Sequence, residues 1–329
     1  MTKAMMTDMR ENNDHDAEAV FAELNSGDRR VGVEIEFGGL SASKAAKVVH
    51  EIVGGDTKEV DAHRYKIHGT SLGTVTIELD SKYVHTSQDD TDAQKKARQI
   101  AGDLGTSIVP TELITAPIFL SDLGTVDTLV RALADAGAMG NEQPHLACGL
   151  HLNIEWKSES VEALLRVLQA YLLIAPKLRE EIEPDPTRKL LPFIARFPSD
   201  YERTVLDPAY QPDLETFIRD YCAANPNKNR ELDLLPLLAS LNAGCVEEAI
   251  GKEPKAVRPA FHYRLPDARI GGAAWSVAEE WKRWKRVEEL AADQQELMNQ
   301  LENWRADNEQ SEGLLAAAKR LINRVKSSS

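Results

Sequence analysis

An unbroken alternation over Val31–Gly38 (VGVEIEFG) constrains this chain most. Val31, Val33, Ile35 and Phe37 fall on one side; Gly32, Glu34, Glu36 and Gly38 fall on the other. That is the period of a strand with one apolar face. It sets Glu34 and Glu36 side by side on the polar face, roughly 7 Å apart. Two carboxylates held this way repel unless a positive group lies between them. Taken alone, the strand reads as the wet face of an antiparallel sheet. The other strands change that reading.

His63–His68 and Thr74–Leu79 read as strands joined by a Gly/Ser/Thr turn, and Thr111–Phe119 as a strand beginning beside Glu112. Leu146–Trp156 sets Cys148, Leu150, Leu152 and Ile154 against Gly149, His151, Asn153 and Glu155. Pro259–Leu265 sets Phe261, Tyr263 and Leu265 against His262 and Arg264. Helices are predicted over Asp16–Leu24, from Ser41 or Ser43 to Val53 (stripe Ala45, Val48, Val49, Ile52), and over Asp89–Leu104. Further helices are predicted over Asp122–Ala136, Ser158–Ile174, Leu214–Ala224 and Leu232–Leu241. A Trp-rich helical stretch follows from Ser276 to about Asn308, with Glu280, Glu288 and Gln295 on its exposed side and a break at Gly313. The Pro-rich stretch Pro184–Pro212 reads as loops over a site or an interface and is the candidate lid. The fold class expected is α+β, with a mainly antiparallel sheet whose apolar face is covered by the helices. One domain is expected over 16–290, after a loose segment 1–15 and before a helical extension 291–329 packed on it.

The polar face then collects Glu34, Glu36, Glu78, Asp80, His151, Asn153, Glu155, His262 and Arg264, with Glu112 joining if its register matches. Carboxylate, imidazole and amide groups are ligands for hard divalent cations, and an oxygen-rich set favours Mg²⁺ or Mn²⁺. No HExxH and no Cys pair points to zinc. Ion pairing within the sheet is the competing reading. Clustered cations suit phosphate chemistry. With no P-loop and no strand-linked GxGxxG, a bound nucleotide would be held by the cations and by Arg196, Arg230, Arg258 or Arg264. Cys148 and His151 point to opposite faces, so a thiol nucleophile at Cys148 is disfavoured.

Composition narrows the partners. A net charge of −14 argues against a nucleic-acid backbone. No apolar run reaches membrane-span length, and residues 1–15 lack the apolar core of a signal peptide. Cys148, Cys222 and Cys245 form no zinc spacing and no disulfide framework, so a reducing cytoplasm is expected.

GVEIEF (Gly32–Phe37), TELITAPI (Thr111–Ile118), CGLHLN (Cys148–Asn153) and RPAFHYRLPD (Arg258–Asp267), followed by a Trp-rich helix, resemble the amidoligase family. These are carboxylate–amine ligases sharing the fold of glutamine synthetase and glutamate–cysteine ligase. The resemblance implies a curved antiparallel sheet holding two or three Mg²⁺ ions and ATP. It implies a two-step ligation through an acyl phosphate, joining a small-molecule or peptide carboxylate to an amine co-substrate. By position, Glu34, Glu36, Glu112 and His151 would be metal ligands. Asp80 or Glu78 would orient the metals or the amine, and Arg258 and Arg264 would hold phosphate or substrate carboxylate. A homo-oligomer and a glutamine-amidotransferase-like partner are also implied. Related ligases commonly carry Glu-x-Arg in the last strand; here it is His262-Tyr263-Arg264, which leaves the third metal position unfilled or makes His262 its ligand. Two other readings stay open: a metal-dependent hydrolase of a phosphate or amide bond, and a non-catalytic scaffold presenting the Trp-bearing helix.

Overall fold

A computed structural model describes residues 17–24, 28–80, 109–141, 147–190 and 194–327. The strands are β1 (Arg30–Phe37), β2 (Asp56–Asp61), β3 (Arg64–Thr70), β4 (Gly73–Leu79), β5 (Thr111–Thr115), β6 (Ile118–Phe119), β7 (Leu150–Glu155), β8 (Leu232–Asp233) and β9 (Ala260–Tyr263). They form one open sheet in the order β2-β3-β4-β5-β1-β7-β9-β8, with β6 on the start of β1, and every strand pairing is antiparallel.

The sheet has one apolar face. Val31, Val33, Ile35 and Phe37 of β1 are buried with Val75 and Ile77, Leu113, Leu152 and Ile154, and Phe261 and Tyr263. Helices cover that side. The helix Ala42–Val53 packs on β3 and β4, and Val161–Ile182 packs against Val277–Ala292. Ser41 caps the first and Ser160 the second, each accepting a backbone N–H of the opening turn. Leu123, Val126, Val130 and Leu133 form the buried stripe of Leu123–Asp135, as their spacing predicts. No helix among the described residues is long and apolar enough to cross a membrane.

Several boundaries differ from expectation. Strand Thr111–Phe119 is two strands, because the chain turns at Ala116-Pro117 to pair Ile118 with Val31. β2 has no sequence signature, since five of its six residues are exposed and only Asp61 is buried. The Ala42–Val53 helix buries Ala42, Ala45, Ala46, Val49 and Val53, while Ile52 is 44% exposed. Helix Val161–Ile182 runs through Pro176 rather than stopping at Ile174. Pro236 opens the helix Leu235–Ile250, which frees Leu232–Asp233 to be β8. Pro184–Pro212 is not simply loops: it contains helices Pro186–Leu190 and Ser199–Leu206, and Phe197, Tyr201, Val205 and Leu206 are buried. The C-terminal stretch is two helices, Val277–Ala292 and Gln294–Ser327, and the second passes Gly313 unbroken. Glu280 is 2% exposed and paired with Arg283, and Glu288 pairs with Arg29, so neither lies on an open face. Trp284 is fully buried beside Phe261, Tyr263 and Tyr171. The predicted helix Asp89–Leu104 and the segment 1–15 lie outside the described residues.

Candidate active site

Register assembles the polar face. Glu34 pairs with His151, Gly32 with Asn153, Asn153 with His262, and His262 with Asp233. One residue row along the sheet, Glu36 pairs with Glu112, Glu112 with Glu78, and Glu78 with Arg64. Residues distant in sequence thus become lateral neighbours.

Glu34 is the hub. Its Oε1 accepts from Asn153 Nδ2 at 2.7 Å and lies 3.5 Å from Arg258 Nη1. Its Oε2 is 3.2 Å from His151 Nδ1 and 3.7 Å from His262 Nε2. Glu36 Oε2 accepts the Gly149 N–H at 2.7 Å, and Glu36 Oε1 is 3.9 Å from His151 Nε2. The imidazoles of His151 and His262 meet edge to face, 5.2 Å between centroids. Two groups of three donors result, Glu34–His151–His262 and Glu36–Glu112–His151; within each, the donor atoms lie within 4.8 Å of one another.

The electrostatics are those of carboxylates short of counter-charge. Burial raises Glu112 well above the usual carboxylate range, and Glu34, Glu36, Asp80 and Glu78 all push it the same way. Among the described residues no cation pairs with Glu112. Burial likewise pushes Glu36 up to about 7, against Arg188. Burial alone would raise Glu34, but the two imidazoles facing it outweigh that and hold it well below the usual range. Burial pushes His151 down to about 3, so its imidazole is neutral and keeps a lone pair. Such a set fits divalent cations on chemical grounds: oxygen and nitrogen donors, excess negative charge, and a buried His262 Nε2 that has no hydrogen-bond partner among the described residues.

The other predicted residues are placed less uniformly. Glu78 joins the face but is bound to Arg64 at 2.5 Å. Asp80 is exposed at the end of β4; partial loss of water, Glu78 and Glu34 raise its carboxyl, with Lys228 opposing. Arg264 is buried on the polar side and donates to the Lys228 carbonyl at 3.0 Å; among the described residues its Nε has no partner. Arg258 stands over Glu34 with its side chain 40% exposed. Arg230 is not brought to the cluster as a free cation: its nitrogens serve Asn225 Oδ1 and the carbonyls of Arg196 and Ala224. Arg196 is exposed.

Three residues escaped the sequence reading. Asp233 faces His262 Nδ1 at 3.8 Å; the proline at 236 was the available signal that a strand precedes the helix. Lys228 lies in the loop hung from Arg264. Arg188 is 1% exposed and donates to the carbonyls of Arg264, Leu265 and Pro266 and to Asp267. Nothing in the Pro-rich segment distinguishes it from a surface arginine.

No curated protein matches the chain. A family model described as "Putative amidoligase enzyme" matches residues 27–285, a span containing the whole polar cluster, and the chain belongs to this amidoligase family.

Proposed function

We propose that this protein is an ATP-dependent carboxylate–amine ligase with a glutamine synthetase-like fold, using Mg²⁺ or Mn²⁺. The observation that carries the reading is the convergence of Glu34, Glu36, Glu112, His151 and His262 on one sheet face of an amidoligase-family chain. Glu34, Glu36, Glu112 and His151, with His262 and Glu78 at the margins, would hold the cations. Cations held there would supply positive charge to offset the negative charge that builds during phosphoryl transfer.

In the reaction proposed, a carboxylate oxygen of the acid attacks the γ-phosphorus and ADP leaves. The amine nitrogen then attacks the acyl carbon, phosphate leaves with the acyl oxygen, and the amine proton passes to a base. Arg258 and Arg264 supply positive charge on the same face, suited to phosphate or substrate carboxylate. Asp80, exposed and with a raised carboxyl, is suited to orient the amine and take its proton. Asn153 fixes Glu34 Oε1. Arg230 braces the loop carrying Lys228, so its part in nucleotide binding would be indirect; Arg196 is open to an anion.

The test is ADP and phosphate release from Mg-ATP with candidate acids and amines. Release is expected only when both are supplied, and Glu34→Ala and Glu36→Ala should each lower it at least about a hundredfold while folding normally. Full activity in both variants would refute the reading. Hydrolysis of a phosphate or amide substrate without nucleotide would replace it with a hydrolase.

A further inference from the structure

We infer that Glu34, His151 and His262 form a nitrogen-rich cation site that selects a first-row transition ion such as Mn²⁺ over Mg²⁺. This rests on the reading that cations bind this face, and it specifies which cation one part of the face takes.

Three observations carry it. First, the donors are two imidazoles and one carboxylate within 4.8 Å, a set that suits transition ions and suits Mg²⁺ poorly, since Mg²⁺ favours oxygen. Second, His262 is only 6% exposed, yet among the described residues its Nε2 has no hydrogen-bond partner, and it faces Glu34 Oε2 at 3.7 Å. An unsatisfied buried acceptor is costly unless something fills the place. Third, each imidazole has a carboxylate beyond its far nitrogen: Asp233 lies 3.8 Å from His262 Nδ1, and Glu36 lies 3.9 Å from His151 Nε2. Both lie just beyond hydrogen-bond length; drawn in by a small shift, they would fix the tautomer of a metal-bound histidine and raise its basicity. Without a cation, His151 Nδ1 hydrogen-bonds Glu34 Oε2 at 3.2 Å; with one bound and the protons moved to those far nitrogens, His262 Nε2 and His151 Nδ1 would both offer lone pairs to the ion beside Glu34 Oε2. Asn153 holds the other oxygen of Glu34, so Oε2 is the oxygen that meets the two imidazoles. The group Glu36–Glu112–His151 contains two carboxylates, and is the more oxygen-rich of the two.

Asp233 is a positioning residue here. It sits on β8 opposite His262, and its Oδ1 is anchored by the Leu235 N–H at 3.0 Å.

The experiment uses the full chain, stripped of metal, titrated with Mn²⁺ alone and followed by electron paramagnetic resonance with electron-spin-echo detection of nitrogen. Bound Mn²⁺ should show imidazole nitrogen coupling and resist a roughly hundredfold excess of Mg²⁺. His262→Gln should weaken the coupling and cut Mn²⁺ affinity at least about tenfold; Asp233→Asn should keep the coupling but cut affinity roughly ten- to hundredfold. His262→Glu should retain cation binding and let Mg²⁺ compete. Circular dichroism and thermal melts confirm that each variant folds. Bound Mn²⁺ without nitrogen coupling, or equal displacement by Mg²⁺, would overturn the selectivity while leaving a cation-dependent ligase standing. No bound cation at all would overturn both.

Discussion

At the residue scale, the cluster stores unfavourable charge, and that has a measurable sign. Glu36 holds its proton more tightly folded than unfolded, from 4.5 up to about 7. Its contribution to stability is therefore present at low pH and lost as pH rises from about 4.5 to about 7. In metal-free protein, Glu36→Gln should gain on the wild type between pH 5 and pH 8 by roughly 1–3 kcal/mol, read from denaturant melts; a constant difference would contradict the burial of that charge. Gly149 is a second tight point. A Cβ there would lie 2.7 Å from Arg188 Nη2 and 3.0 Å from His151 Nε2, and Arg188 is too well tied to yield. Gly149→Ala should destabilise by about 1–3 kcal/mol and weaken cation binding. Cys148, buried with its thiol pushed up to about 12, should resist alkylation at pH 8 until the chain unfolds; rapid labelling of the native protein would contradict this. Glu34, Glu36 and His151 were legible because strict alternation fixes which way each points. Asp233 and Arg188 were not, because one sits on a two-residue strand and the other acts through backbone carbonyls.

At the element scale, alternation located β1, β4, β7 and β9 with the correct face inward, since a one-residue slip would expose every core side chain. It failed for β2, an edge strand that buries almost nothing and so carries no apolar signal. Proline and glycine misled where tertiary packing overrides local preference. The helix Val161–Ile182 keeps Pro176 while burying Leu168, Tyr171, Leu172, Ala175 and Leu178 on either side of it. Because burial rather than local preference holds that helix, its cap is worth little by comparison. Ser160→Ala should cost only about 1 kcal/mol, measured by thermal unfolding, with cation binding unchanged; loss of the whole fold would show the helix to depend on its cap.

At the scale of the whole molecule, the sheet keeps an apolar face under helices and a charged face opposite, and the strand order places β1 near the centre of the latter. That is why four stretches far apart in sequence converge. The identities of the acid and the amine are not legible, since loops rather than strands shape a substrate pocket. The most direct measurement is calorimetric titration of the full chain with ATP, with Mg²⁺ and then with a chelator, in wild type and Glu112→Gln. Saturable binding that requires Mg²⁺ and is weakened by Glu112→Gln is expected; no binding, or binding indifferent to both the cation and Glu112, would contradict a cation-built nucleotide site on this face.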